Sequence, residues 1–161
     1  MSVPIDNLVT EVVNIIKTTQ TDPTVEVLRY IPVLRTFNDL VQLGLVKGDV
    51  VKFWTVTLNE ITPVVRDMNR GVPVDAREWR IRVQISLFQT NTGDYSSAQS
   101  VYSEVERISS EIQRKWWMNQ EFRFVEIRTS IDVREVIEHL MYVPTIVVTY
   151  AYYEAPVNWE V

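Results

Sequence analysis

The chain contains no cysteine, a single histidine and only four glycines. Without cysteine there is no disulfide framework, no thiol nucleophile and no thiolate metal site. One histidine excludes a multi-histidine metal centre. None of the glycines falls in a GxGxxG or GxxxxGK(S/T) arrangement, so the common phosphate-cradling loops are absent. No run of apolar residues approaches the roughly 18 that a membrane helix needs, and no membrane partner is expected. No Asn-x-Ser/Thr acceptor occurs. Met1–Pro4 has no basic segment ahead of a continuous apolar run, so no signal peptide is expected and the expected compartment is cytoplasm. Lys and Arg number 16 against 21 Asp and Glu, a formal charge of −5. That balance disfavours a dedicated nucleic-acid binder and leaves room for a local basic patch.

What is present is ordinary globular composition. The 161 residues are 46% apolar and 23% charged, enough to bury one real core. A single domain over 1–161 is expected, with a short C-terminal tail at about 155–161.

Periodicity sets out the elements. Ile5, Leu8, Val9, Val12, Val13 and Ile16 repeat at helical spacing, and Pro4 suits a first turn. Residues 24–53 offer a short strand over Val25, Val27 and Tyr30–Val33, interrupted by Pro32, a short helix within Leu34–Leu45, and a turn at Lys47–Asp49. Val50–Leu58 reads as a strand, followed or continued by Ile61–Arg66 past Pro63. Trp79, Ile81, Val83, Ile85 and Leu87 alternate with Arg80, Arg82, Gln84 and Ser86. That strict period of two favours an antiparallel sheet. Asp94 or Ser96 caps a long helix whose stripe runs from Ala98 to Trp116. Glu104 and Glu106 toward its start, with Arg114 and Lys115 at its end, complement the helix dipole. Phe122–Ile131 is extended, with a slip of phase between Phe124 and Val125 that a bulge, or two buried faces, would explain. Asp132–Met141 fits a short helix or a bent loop. Thr145–Glu154 closes as a strand, with Ile146, Val148, Tyr150 and Tyr152 on one face and Tyr153 on the other. The expected class is α+β, an antiparallel β-sheet packed against an N-terminal helix and one long central helix.

Little of this points to catalysis. Glu135 and His139 would share a face if Asp132–Met141 were helical, which offers two metal ligands and no obvious third. The plain reading is an exposed polar face. No GxSxG elbow accompanies the histidine, and no pair of acids is marked as buried. Neither enzyme activity nor a cofactor is expected. Arg66, Arg70, Arg77, Arg80 and Arg82 gather on two neighbouring strands and their loop. They form either a patch for phosphate or an acidic partner, or a solvated face paired with Glu60, Asp67, Asp75 and Glu78. The aromatics are in surplus. Trp117 lies about 100° round from the stripe that holds Trp116, Tyr153 faces away from Tyr150 and Tyr152, and Trp159 follows on the tail. Such residues suit a subunit interface.

The order of elements carries one resemblance. After the amphipathic N-terminal helix and a β segment come the alternating strand WRIRVQISLF, a Gly-Asp break and the long helix DYSSAQSVYSEVERISSEIQRKWW. The strand FRFVEIRTS and the aromatic strand TIVVTYAYYE close the chain. This pattern resembles the tail terminator (tail completion) proteins of tailed bacteriophages over most of the chain. The resemblance implies a small α+β protein that forms a ring, usually a hexamer, on the head-proximal end of the tail tube. Such a ring stops tube polymerisation and offers a surface to the head-closure or neck protein, and to the sheath protein in a contractile tail. DNA passes through the channel without sequence readout, and no cofactor takes part. The setting is the virion, reached through the host cytoplasm. Ring closure needs a heterologous interface. Trp117, Tyr153 and Trp159 are candidates for one side, and Arg80 and Arg82 for a polar contact. The alternatives are another phage neck protein, whether head-closure or adaptor, or a small α+β module that binds a ligand or peptide.

Overall fold

Helix α1 (Ile5–Thr19) forms where the apolar stripe repeats, and buries Leu8, Val9, Val12, Val13, Ile15 and Ile16. The chain then turns through a loop tied by buried side chains. Gln20 Nε2 donates to the Val25 carbonyl at 3.0 Å. A short strand β1 (Glu26–Leu28) follows. Contrary to expectation Tyr30–Val33 forms no strand: Tyr30, Ile31 and Val33 are exposed, and Pro32 lacks the N–H a ladder needs. The short helix α2 (Phe37–Gln42) comes after it. Thr36 precedes α2, and the Asp39 carboxylate accepts the Thr36 N–H at 3.1 Å. Next come β2 (Val46–Lys47), β3 (Val50–Val64) and β4 (Arg77–Thr90). Helix α3 (Tyr95–Arg114) starts at Asp94, whose carboxylate accepts the Ser97 N–H at 2.9 Å. Just before it, Gly93 sits at φ +80°, a conformation that L side chains resist. The strands β5 (Trp117–Met118), β6 (Phe122–Val136) and β7 (His139–Glu154) end the described chain. The computed structural model describes residues 3–64 and 77–154. The expected loop at Asn69–Pro73 and the tail from about 155 lie outside the described residues.

The fold is α+β, with a curled, mostly antiparallel sheet. Its order is β1-β3-β4-β7-β6-β5, with β2 paired to the start of β3. The departure from the antiparallel expectation is β1, which runs parallel to β3 with Val27 opposite Trp54. One core joins the α1 stripe, Val101, Val105, Ile108 and Ile112 of α3, and the strand residues Trp54, Ile81, Val83, Ile85, Phe122, Ile146, Val148 and Tyr150. Each such large side chain contributes roughly 1.5–3 kcal/mol of apolar burial. A smaller cluster lies on the opposite face at one end, where Leu40 and Leu45 meet Val51, Phe53, Met141 and Val143. There the Phe53 and Phe88 rings stack at 4.7 Å.

Two expectations are overturned. Asp132–Met141 is neither helix nor bent loop. Strand β6 continues to Val136 and turns at Ile137 (φ +48°) and Glu138 (φ +62°) into β7, with Val136 paired to His139. A two-residue hairpin turn with two positive φ values follows the right-handed twist of its strands. Trp116 is not on the helix stripe. The last helical residue is Arg114, the Lys115 cap turns the chain into β5, and Trp116 is 65% exposed. Its ring meets Phe124 edge-on, and its carbonyl accepts the Phe124 N–H at 2.8 Å. The dipole expectation also changes. Glu104 is buried inside α3, where its carboxylate accepts the Thr21 N–H and hydroxyl and ties the loop after α1 to the helix.

Candidate functional site on the open face of the sheet

Alternation along β4 divides the sheet. Ile81, Val83, Ile85 and Leu87 turn to the core, so Arg80 and Arg82 turn to the other face. Pairing carries that face across the strands. One row runs Thr62, Arg80, Ala151, Arg123, Trp117. The next row runs Glu60, Arg82, Thr149, Glu126. On the far side of the first row, Tyr153 stands opposite Glu78. Directly opposed residues in antiparallel pairs share a face. The structure therefore brings Trp117, Tyr153, Arg80 and Arg82 to one face, while Trp159 lies outside the described residues.

The charges on this face are paired. Arg82 donates to Glu60 at 3.0 Å, and Arg80 reaches Glu78 at 3.2 Å. Of the acids expected to pair with the arginines, Glu60 and Glu78 do so, and Asp67 and Asp75 lie outside the described residues. Arg128 sits 3.7 Å from Glu126. Arg123 donates to the Tyr153 hydroxyl at 2.9 Å and lies over its ring at 5.8 Å. The exposed pairs, Arg82–Glu60 and Arg128–Glu126, contribute about 0–1 kcal/mol each, while Glu78 is buried beside Arg80. Their larger effect is to present alternating charge and two half-exposed aromatics, Trp117 at 50% and Tyr153 at 40%, to whatever meets the face.

Two bulges place these residues. On β3 the pairing shifts between Leu58 and Glu60, and on β6 between Phe124 and Glu126. Without the first, Glu60 would fall on the core face with Trp54 and Val56. Without the second, Arg123 would be separated from Glu126 and Arg128. The slip at Phe124–Val125 was legible in the sequence. Arg123, Glu126 and Arg128 were missed, because their shared face follows only once that slip is applied. The bulge at Asn59 carried no signal in the alternation.

The hollows among the described residues include three shallow ones. One of about 210 Å³ is lined by Asn59, Arg82, Glu126, Arg128, Val147 and Thr149. Another of about 160 Å³ lies beside it at Glu60, Thr62, Arg80 and Arg82. A third, of about 220 Å³, lies away from this face between Asp22, Lys47 and Lys52. All three are smaller than the ~300–1,000 Å³ of drug-sized ligand sites. Among the described residues no group of His, Asp and Glu side chains is placed to hold a metal ion. Glu135 stands opposite Leu140 on the hairpin, and His139 points its Nδ1–H at the Ile137 carbonyl at 2.7 Å. The histidine ring stacks on Phe37 at 5.2 Å. The helical pair of ligands expected there does not exist. Among the described residues no helix is long and apolar enough to cross a membrane.

The sheet also has open edges. Among the described residues, β1 covers β3 only at Phe53–Thr55 and β2 only at Val50–Val51. On the other side β5 covers β6 only at Phe122–Arg123. Among the described residues, β3 beyond Thr55 and β6 beyond Phe124, whose N–H is donated to the Trp116 carbonyl, have no further strand beside them, the usual template for one more. In comparisons with known proteins, no family model matches this chain and no curated protein matches it.

Proposed function

We propose that this chain is a structural protein of a bacteriophage virion, a tail terminator that assembles as a ring on the head-proximal end of the tail tube. In this reading the ring stops tube growth and presents a surface to the head-closure protein. The sheet packs on the N-terminal and central helices with one face. The other face and its edges are left for neighbouring copies and for the tube. The observation that carries the reading is this division of the sheet, with Trp117, Tyr153 and the arginine–glutamate rows on the open side and, among the described residues, long stretches of β3 and β6 with no partner strand on their outer edge. A solvated face of alternating charge suits a contact with other proteins better than an enclosed reaction.

The test is a capping assay. Purified chain is added to tail tubes growing from the tube protein of the same phage, and tube lengths are read by electron microscopy. Shortened tubes with density at one end are the expected result. Tubes of unchanged length with bare ends overturn the proposal.

A further inference from the structure

The open edges carry enough detail to set how one copy meets the next. Strands β3, β4, β7 and β6 alternate in direction, so β3 and β6 run opposite ways. A second copy whose β3 lies against the first copy's β6 therefore continues the antiparallel sheet. The contact uses two different edges, so it is heterologous and can close into a ring. The free windows are bounded on both strands. On β3 the window begins after Thr55, where β1 ends, and runs to Val64. On β6 it begins after Phe124, whose N–H is donated to the Trp116 carbonyl just beyond the β5 pairing.

Charge decides the register. Within one copy Glu60 and Glu126 lie in the same row. An unstaggered junction would set Glu126 of one copy directly opposite Glu60 of the next, a like-charge pair that destabilises a ladder. A shift of one residue would exchange the two faces and turn core-side residues to solvent. A shift of two residues keeps the faces and replaces Glu126 by Arg128, whose side chain is 77% exposed and free to reach a second carboxylate. A constant stagger between copies is also what closing a sheet into a barrel requires.

We propose that copies of this chain join β6 to β3 edge to edge, antiparallel, with Arg128 opposite Glu60 of the neighbour. This deepens the ring reading above and rests on it. In that register Ile127 meets Ile61 on the core side, and Glu126 meets Thr62 on the open side. With Asn59 bulged out, Thr129 meets Leu58. The contact covers Leu58 and Ile61, which are 40% and 39% exposed in the single copy. The two bulges discourage pairing with unrelated strands, because a regular partner strand cannot follow both edges.

The absence of cysteine makes the register directly testable. Within one copy Thr62 and Glu126 stand on opposite edges of a four-strand body, about 14 Å apart at the usual strand spacing, beyond the reach of a disulfide. The variant Thr62→Cys with Glu126→Cys is expected to give a ladder of covalent oligomers on oxidation. The unstaggered control, Glu60→Cys with Glu126→Cys, is expected to give none. In parallel, Glu60→Arg and Arg128→Glu are each expected to raise the concentration of half-assembly by roughly fivefold or more, and the double exchange to restore it. An oligomeric wild type that cross-links only in the unstaggered pair, or in neither, overturns this register and leaves the ring standing. A wild type that is monomeric at every concentration overturns this contact between free copies, and the capping assay then decides the ring reading on its own.

Discussion

Along β4 the covered and open faces can be compared residue by residue. Ile81, Val83, Ile85 and Leu87 are fully buried, and their partners on β7, Ile146, Val148 and Tyr150, are buried with them. Between them Arg80 and Arg82 keep a third to nearly half of their side-chain surface, and pair with Glu78 and Glu60. The covered side gains free energy from apolar area removed from water, which is large and non-directional. The open side gains less for the fold: the exposed Arg82–Glu60 pair contributes about 0–1 kcal/mol, and Glu78 is buried beside Arg80. It keeps directional chemistry available to a partner. Stability and association are thus expected to separate between the two sides of one strand.

Substitutions can break that separation if it is wrong. The largest loss is expected from Trp54→Ala on the covered face, where the side chain is fully buried. It should cost about 3–5 kcal/mol in urea unfolding. Glu104→Ala comes next. It removes the acceptor for the Thr21 N–H and hydroxyl, and should cost about 1–3 kcal/mol in the same assay. On the open face, Trp117→Ala with Tyr153→Ala should move the unfolding midpoint by less than Glu104→Ala and yet abolish assembly in gel filtration. A large loss of stability with assembly intact would reverse the roles given to the faces.

The smallest effects sharpen the picture. The Tyr150 hydroxyl is buried and, among the described residues, has no hydrogen-bond partner. Burial, with the nearby Glu11 carboxylate, pushes its pKa well above the ordinary tyrosine range. Tyr150→Phe should leave stability unchanged or slightly raised, since it removes an unpaired polar group while keeping the ring. Asp22 gives a pH signature away from both faces. The Thr24 hydroxyl and N–H, with Lys47, hold its carboxyl at about 2 instead of 3.8. A depressed native pKa contributes stability above the unfolded value and loses it as pH falls through the native one. The difference between wild type and Asp22→Asn should be present at neutral pH and fade as the pH drops from about 4 toward 2.

The legible parts of the molecule were those with a clear period. The α1 stripe, the β4 alternation and the faces of Thr145–Glu154 all depend on burial repeating at the helix or strand interval, and the structure follows them. The β6–β7 hairpin was hidden because Ile137 and Glu138 carry no turn chemistry. A β-branched residue at positive φ is an outlier that only the surrounding pairing can hold. Trp116 fits the helix period although it lies two residues beyond the last helical residue, Arg114. Of the site, the common face of Arg80, Arg82 and Tyr153 was readable from alternation alone. Trp117 reached that face only through the β5 pairing with Arg123, and Glu60 only through the Asn59 bulge. Both are tertiary events that no local pattern announces.

The central claim is that the open face and its edges serve self-association. It is tested most directly by the native mass in solution, measured by light scattering after gel filtration across a concentration series. A species near about six times the 18.8 kDa chain mass, with no continued growth at higher concentration, is the expected result for a closed ring. A mass that stays at 18.8 kDa throughout would contradict the claim.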